Sequence, residues 1–291
     1  MRTVHCVAEL RAALREPRRA ERSIALVPTM GALHDGHRAL IRRAAALCDV
    51  VVVSLFVNPT QFAPGEDLDA YPRDEARDAE SARESGADLL FAPAADEVYP
   101  AGFATKVAVA GGLTDHLEGA ARGPAHFAGV TTVVLKLLNM VGPDVALFGQ
   151  KDAQQAAVIG RMVSDLDVPT RIEICPTVRE PDGLALSSRN AYLAPTDRAR
   201  AVALNDALRA AERSVAGGER DAPRIAEVAR AAMRERTVEP EYVELVDPAT
   251  LAPVATLNGL TLLAVAATVG RARLIDNTLL RTAPTDAADE H

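Results

Sequence analysis

Between residues 23 and 175, short β-branched runs alternate with stretches of helical periodicity, and this alternation restricts the fold more than any other feature of the chain. Strands are expected at 23–27, 49–57, 87–91, 144–148 and 170–175, with helices at 37–47, 73–85, 125–141 and 153–166. The run 49–57 is almost continuously apolar, as a strand covered on both faces must be. Strand-helix alternation of this kind predicts an α/β fold with a doubly wound, Rossmann-like parallel sheet. After Pro176 the pattern changes: a loop containing Pro181, Asp182 and Gly183 precedes two helices, about 195–216 and 222–236, and strands at 241–246, 260–266 and 271–276. The expected organisation is therefore a Rossmann-like domain over 1–176 and a smaller α+β domain over 177–291, whose polar tail 283–291 is expected to be frayed.

Composition narrows the function. No apolar run approaches the roughly 20 residues that a membrane span needs, and the N-terminus lacks a signal-peptide core. A net charge of −8, the absence of Trp and 3% aromatic residues argue against nucleic acid as a partner. Cys6, Cys48 and Cys175 are odd in number and lack metal-ligand spacing, so reduced thiols in a cytoplasmic protein are expected. Of 32 basic residues only Lys106, Lys136 and Lys151 are lysines, so a lysine here marks a candidate site for a compact ammonium.

Ligands of an open parallel sheet bind beyond the carboxyl ends of its strands. The first strand-to-helix turn carries Pro28-Thr29-Met30-Gly31-Ala32-Leu33-His34-Asp35-Gly36-His37. It has neither the dinucleotide glycine pattern nor a phosphate loop ending in Gly-Lys-Ser/Thr. It does place two histidines three apart at a helix N-terminus, where backbone N–H groups and the helix dipole favour an anion. Zinc binding by His34 and His37, or two incidental loop histidines, are the competing readings, and phosphate contact is favoured. Asn58 and Gln61, after the second strand, offer neutral amides for a carboxylate or hydroxyl. Lys151, in Gly149-Gln150-Lys151-Asp152, stands at another helix N-terminus, where an anionic ligand would relieve its conflict with the dipole. Ser187, Ser188 and Arg189 supply short donors and a bidentate clamp, although such a pattern alone is more often a helix cap.

Together these motifs resemble the pantothenate synthetase (pantoate–β-alanine ligase) family over essentially the whole chain. They are the ten residues from Pro28 to His37, Asn58-Pro59-Thr60-Gln61-Phe62, Gly149-Gln150-Lys151-Asp152 and Ser187-Ser188-Arg189-Asn190. Within that resemblance, His34-Asp35-Gly36-His37 is a variant of the His-x-Gly-His signature of nucleotidylyltransferases, and Ser187-Ser188-Arg189 corresponds to their mobile phosphate-binding motif. The resemblance implies a two-step reaction: pantoate attacks the α-phosphate of Mg-ATP to give pantoyl adenylate and pyrophosphate, and β-alanine then displaces AMP. It implies an ATP site of Met30, Gly31, Ala32, Leu33, His34, Asp35, Gly36, His37, Gly149, Gln150, Lys151, Asp152, Val178, Leu186, Ser187, Ser188 and Arg189. His37, His34 and Lys151 would be the catalytic groups, Gln61 and Gln155 would bind pantoate, and Gln61 would also meet β-alanine. Asn58 and Tyr71 would support them. A homodimer, a lid role for the domain over 177–291 and Mg²⁺ as the companion of ATP are also implied, with the acidic stretch containing Asp74 and Asp78 as a water-mediated contact for the metal.

Four departures from the family pattern stand out. Arg122-Gly123-Pro124-Ala125-His126-Phe127 carries one extra residue, which leaves the placement of Arg122 against pyrophosphate open. Gln150 replaces a usual Glu, Ala153 a common Tyr and Leu186 a common Met. The alternatives are a nucleotidylyltransferase acting on a phosphorylated metabolite, which would need no amine, and an ATP-binding regulator without turnover. An aminoacyl-tRNA synthetase is disfavoured by length, acidity and the missing anticodon-binding domain.

Overall fold

The expected parallel sheet is present and has six strands. In this computed structural model, which describes residues 1–62, 68 and 71–283, the first strand and helix are β1 (Arg2–Val4) and α1 (Val7–Arg19). There follow β2 (Ile24–Thr29), α2 (Asp35–Leu47), β3 (Val50–Leu55), α3 (Glu75–Glu84), β4 (Leu89–Phe91) and the short α4 (Ala95–Val98). After α5 (Glu118–Arg122) and α6 (Pro124–Val141), β5 (Val145–Gly149), α7 (Ala153–Asp165) and β6 (Arg171–Cys175) complete the layer. The order is β1-β4-β3-β2-β5-β6, every pair parallel. Strand order reverses between β2 and β5, so the ligand-binding crevice belongs at their carboxyl ends.

Alternation along each strand divides the core into two layers. Leu26, Val52 and Phe91 pack with Leu10 and Leu14 of α1, Leu138 of α6 and Met162 of α7. Ala25, Val27, Val51 and Val53 face Ile41 and Ala44 of α2 and Ala82 of α3. Truncating a fully buried residue such as Ile41 to Ala would cost about 2–5 kcal/mol.

Neither β1 nor α1 is foreseen from the sequence pattern. Three residues are too few to show a strand period, and in α1 the apolar spacing of Leu10, Leu14 and the internal Pro17 is masked by arginines on the exposed side.

The second unit is built on an antiparallel sheet, β7 (Tyr242–Val246), β8 (Leu260–Val269) and β9 (Ala272–Arg281), in the order β7-β8-β9. It is covered by α8 (Pro195–Ala201), α9 (Ala203–Ala216) and α10 (Ala222–Glu235), with Leu204, Leu208, Ile225 and Met233 packed in one core with Leu263, Val265 and Leu274. The single helix expected at 195–216 is two helices that meet at Val202. The bend lets α8 rest on β8 while α9 follows α10 and β9.

The chain divides after Val178, near the change in pattern at Pro176, into residues 1–150 with 154–178 and residues 151–153 with 179–291. The assignment of Lys151–Ala153 to the second unit has no counterpart in the sequence pattern. The expected tail lies, from residue 284 onward, outside the described residues.

Candidate active site

The turn after β2 is shaped by two successive residues with positive φ, Gly31 at +95° and Ala32 at +51°. At Gly31 a Cβ would lie 2.8 Å from Leu55 Cδ1 and 3.0 Å from Asp78 Oδ2, so both conformation and space call for glycine. Asp78, a buried residue of α3, accepts from Ala32 N at 2.9 Å and from Leu33 N at 2.7 Å.

The next residue, His34, is the N-cap of α2. Its Nδ1 accepts from Gly36 N at 3.1 Å, and His37 Nδ1 accepts from His34 N at 3.3 Å. The pair therefore closes a reciprocal cap, with ring centroids 4.1 Å apart. Because each Nδ1 is an acceptor, each neutral ring carries its proton on Nε2. The arrangement thus converts two backbone donors of a helix N-terminus into two imidazole N–H donors while keeping the positive end of the dipole.

Asn58 follows β3 and caps the 3₁₀ turn Pro59–Gln61. It is 1% exposed, and its amide is fully engaged. Oδ1 accepts from Tyr99 OH at 2.8 Å and from Thr60 Oγ1 at 2.9 Å, while Nδ2 donates to Gly129 O and to Gln61 Oε1, each at 3.1 Å. Burial pushes the Tyr99 phenol above its ordinary range, which keeps it a donor. Gln61 Nε2 meets Met30 Sδ at 2.8 Å and so joins this amide to the β2 turn. Gly129 of α6 explains the close approach: a Cβ there would stand 2.4 Å from Thr60 O.

His126 Nδ1 lies 2.8 Å from the Gln61 carbonyl oxygen, which can only accept, so Nδ1 bears the proton. Arg122 NH1, 3.5 Å from the same nitrogen, is then a neighbour and not its donor. Arg122 Nε instead pairs with Glu118 at 3.4 Å. Tyr71 is buried and edge-on to Phe62 at 6.2 Å. A cavity of about 370 Å³ opens at the carboxyl ends of β2 to β4, with Met30, Gly31, Phe56, Pro59, Arg73 and Asp78 among its walls.

The two adjacent glutamines at the start of α7 have different duties. Gln154 is 4% exposed and holds the preceding loop: its Nε2 donates to Leu113 O and His116 O, and its Oε1 accepts from Glu118 N. Gln155 is half-buried. Gly149 ends β5, the neighbour of β2, Gln150 follows it, and Val178 is the last residue of the first unit.

The remaining expected residues lie in the second unit. Lys151 is largely buried, with Nζ 3.7 Å from Asp152 Oδ1, and its carbonyl oxygen accepts from Asn277 Nδ2 of β9 at 2.9 Å. Leu186 is half-buried. Ser187 Oγ accepts from Arg189 N at 3.2 Å and caps the 3₁₀ turn Ser188–Tyr192, which packs on β9. Asn190 ties that turn down through Glu180 Oε1 and Ala185 O, at 2.9 and 3.1 Å. Beside Asn277, buried Asp276 receives Arg179 through both carboxylate oxygens, at 2.5 and 3.0 Å. One strand thus underlies both the lysine and the serine-arginine motif.

Asp74 and Asp78, expected as water-mediated metal contacts, have structural partners. Asp74 caps α3 through Arg77 N, and Asp78 holds the β2 turn. Among the described residues no group of three or more His, Cys, Asp or Glu could hold a metal ion.

Comparison with known proteins gives consistent matches. A family model described as Pantoate-beta-alanine ligase matches residues 2–279. The chain is 54% identical over 285 residues to pantothenate synthetase 1 of Bradyrhizobium diazoefficiens, covering 98% of this chain and all of that one. It is 52% identical to the pantothenate synthetase of Heliobacterium modesticaldum, covering 95% and 98%. Among solved structures, pantothenate synthetase from Thermus thermophilus superposes with a TM-score of 0.91 at 48% identity, over 96% of this chain and 99% of that one. The pantoate-beta-alanine ligase of Francisella tularensis, complexed with beta-gamma ATP and beta-alanine, gives 0.78 at 35%, over 96% and 97%.

Proposed function

The chain belongs to the pantoate–β-alanine ligase family, and on that premise we propose that it condenses pantoate with β-alanine at the expense of ATP, through a pantoyl adenylate. The observation that carries the reading is the reciprocal cap of His34 and His37, which puts the proton of each neutral ring on Nε2 at the positive end of α2. That is a donor set for phosphate oxygens.

In the first step a pantoate carboxylate oxygen attacks the α-phosphorus, the bond from that phosphorus to the bridging oxygen breaks, and pyrophosphate leaves. His34 and His37 donate to phosphate oxygens as charge develops, and Lys151 neutralises them. Gln61, oriented by Asn58, and Gln155 bind pantoate. The nucleotide contacts are residues 30–37, 149–152, Val178 and 186–189. In the second step the free amine of β-alanine, near Gln61, attacks the acyl carbon. The acyl–oxygen bond to AMP breaks and the amine loses a proton. Neither step needs an enzyme nucleophile, since positioning two reactants supplies much of the rate. Mg²⁺ would accompany the triphosphate as counter-ion, and no step is assigned to it. We take the enzyme to be a cytoplasmic homodimer acting on these small molecules. Among the described residues no helix is long and apolar enough to cross a membrane.

The test is release of AMP and pyrophosphate from ATP, Mg²⁺ and pantoate, with and without β-alanine, and identification of the product by mass. Pantothenate formed only with all substrates present supports the ligase. Pyrophosphate release with other acceptors and none with pantoate would overturn it.

A further inference from the structure

We propose that Asp78 is a positioning residue for the nucleotide-phosphate turn, acting on the reaction through the backbone that carries His34. The inference rests on the reading of His34 and His37 as phosphate donors.

Asp78 belongs to α3 and is 46 residues from Ala32 in sequence, yet the residue is 3% exposed and each carboxylate oxygen takes one N–H of the turn. Oδ2 holds Ala32 and Oδ1 holds Leu33. Those two N–H groups converge because Gly31 and Ala32 both have positive φ, a backbone concavity of the kind that attracts anions. The protein fills it with its own carboxylate. An alanine held in the left-handed region is a conformation that only surrounding constraints maintain. The constraint is immediate, since the residue after Leu33 is His34, whose ring and backbone N–H close the cap on α2. A shift of the turn is therefore passed directly to His34.

A buried anion close to a triphosphate site is electrostatically adverse, and two neutral acceptors would avoid that repulsion. A carboxylate is nevertheless the one short side chain that accepts at both oxygens. In Asp78→Asn one of the two N–H groups faces an NH₂ instead of an acceptor.

The test measures pantoate-dependent pyrophosphate release by wild type, Asp78→Asn, His34→Ala and the double variant. Asp78→Asn is expected to lower kcat by about tenfold or more, as losing a charge-assisted bond allows, with KM for ATP moved less than about threefold. In the His34→Ala background the same change should lower kcat less than about threefold further, because both act through one element. A kcat for Asp78→Asn within about twofold of wild type, or fully additive losses in the double variant, would overturn the proposal. If Asp78→Asn does not fold, amide hydrogen exchange of the nucleotide-free wild type decides: protection of Ala32 and Leu33 supports the clamp, and rapid exchange overturns it. A wild type without pyrophosphate release would overturn the functional reading and this inference with it, a failure visible before any variant is made.

Discussion

Asn58 Nδ2 donates to Gln61 Oε1 at 3.1 Å, so one buried amide sets the orientation of another and turns the Gln61 NH₂ towards Met30. Asn58→Ala removes that constraint and leaves the Tyr99 hydroxyl without its acceptor on Asn58. We expect KM for pantoate to rise about tenfold and thermal stability to fall by about 1–3 kcal/mol, checked by steady-state kinetics and melting. An unchanged KM would show that Gln61 is held by other means.

Gly129→Ala puts a methyl group 2.4 Å from Thr60 O, a backbone atom that cannot yield as a side-chain tip can. The 3₁₀ turn must move away from α6, at a cost of about 1–3 kcal/mol. Loss of pantoate affinity should accompany the lower melting temperature, and a variant that melts and binds like wild type would contradict the packing.

The two duties of His34 can be separated. Asn is among the best N-cap residues, so His34→Asn should keep most of the cap, whereas His34→Ala should lose about 1 kcal/mol of stability. Both should depress adenylation, since neither retains an imidazole N–H at that point. Full activity in His34→Asn would restrict the residue to capping.

Asn277→Ala deletes the bond to the Lys151 carbonyl. The expected result is a loss of adenylation rate smaller than that of Lys151→Ala and absent from the double variant, because a misplaced lysine and a missing one lie on the same path. Additive losses measured by pyrophosphate release would place Asn277 elsewhere.

Burial pushes the thiols of both Cys48 and Cys175 up from their ordinary value. A raised pKa means less thiolate at neutral pH, with reactivity growing only as pH climbs further. At about pH 7.5 both should react with a disulfide reagent more slowly than free cysteine, as followed by mass spectrometry. Rapid labelling of Cys175 would mean that the end of β6 opens.

What is legible in the sequence is what local pattern encodes. The apolar run around Val50–Leu55 announces a doubly covered strand, and the two histidines at 34 and 37 are expected, and found, at a helix N-terminus. The contacts that hold these residues are not legible, even where a residue such as Asn58 is named as a support, because each runs across a long sequence separation. Asp78 reaches Ala32 over 46 residues, Asn58 reaches Gly129 over 71 and Asn277 reaches Lys151 over 126. Asp78 shows why: a carboxylate in an acidic stretch looks solvated until the turn it serves is folded against it. Gln154 and Gln155 show the limit at its sharpest, since identical neighbours one residue apart differ only in which way α7 turns them.

The chain enters the second unit at Lys151, leaves it after Ala153 and returns at Arg179, and this threading orders events during synthesis. When the ribosome has made β6, the whole parallel sheet is available to fold. The segment carrying Lys151 still lacks its anchor, because Asn277 lies 126 residues downstream. The bond that holds the Lys151 carbonyl therefore arrives with the final strand and not with the sheet. A nascent chain halted before Asn277 carries both histidines of the α2 cap and a Lys151 whose carbonyl still lacks that partner.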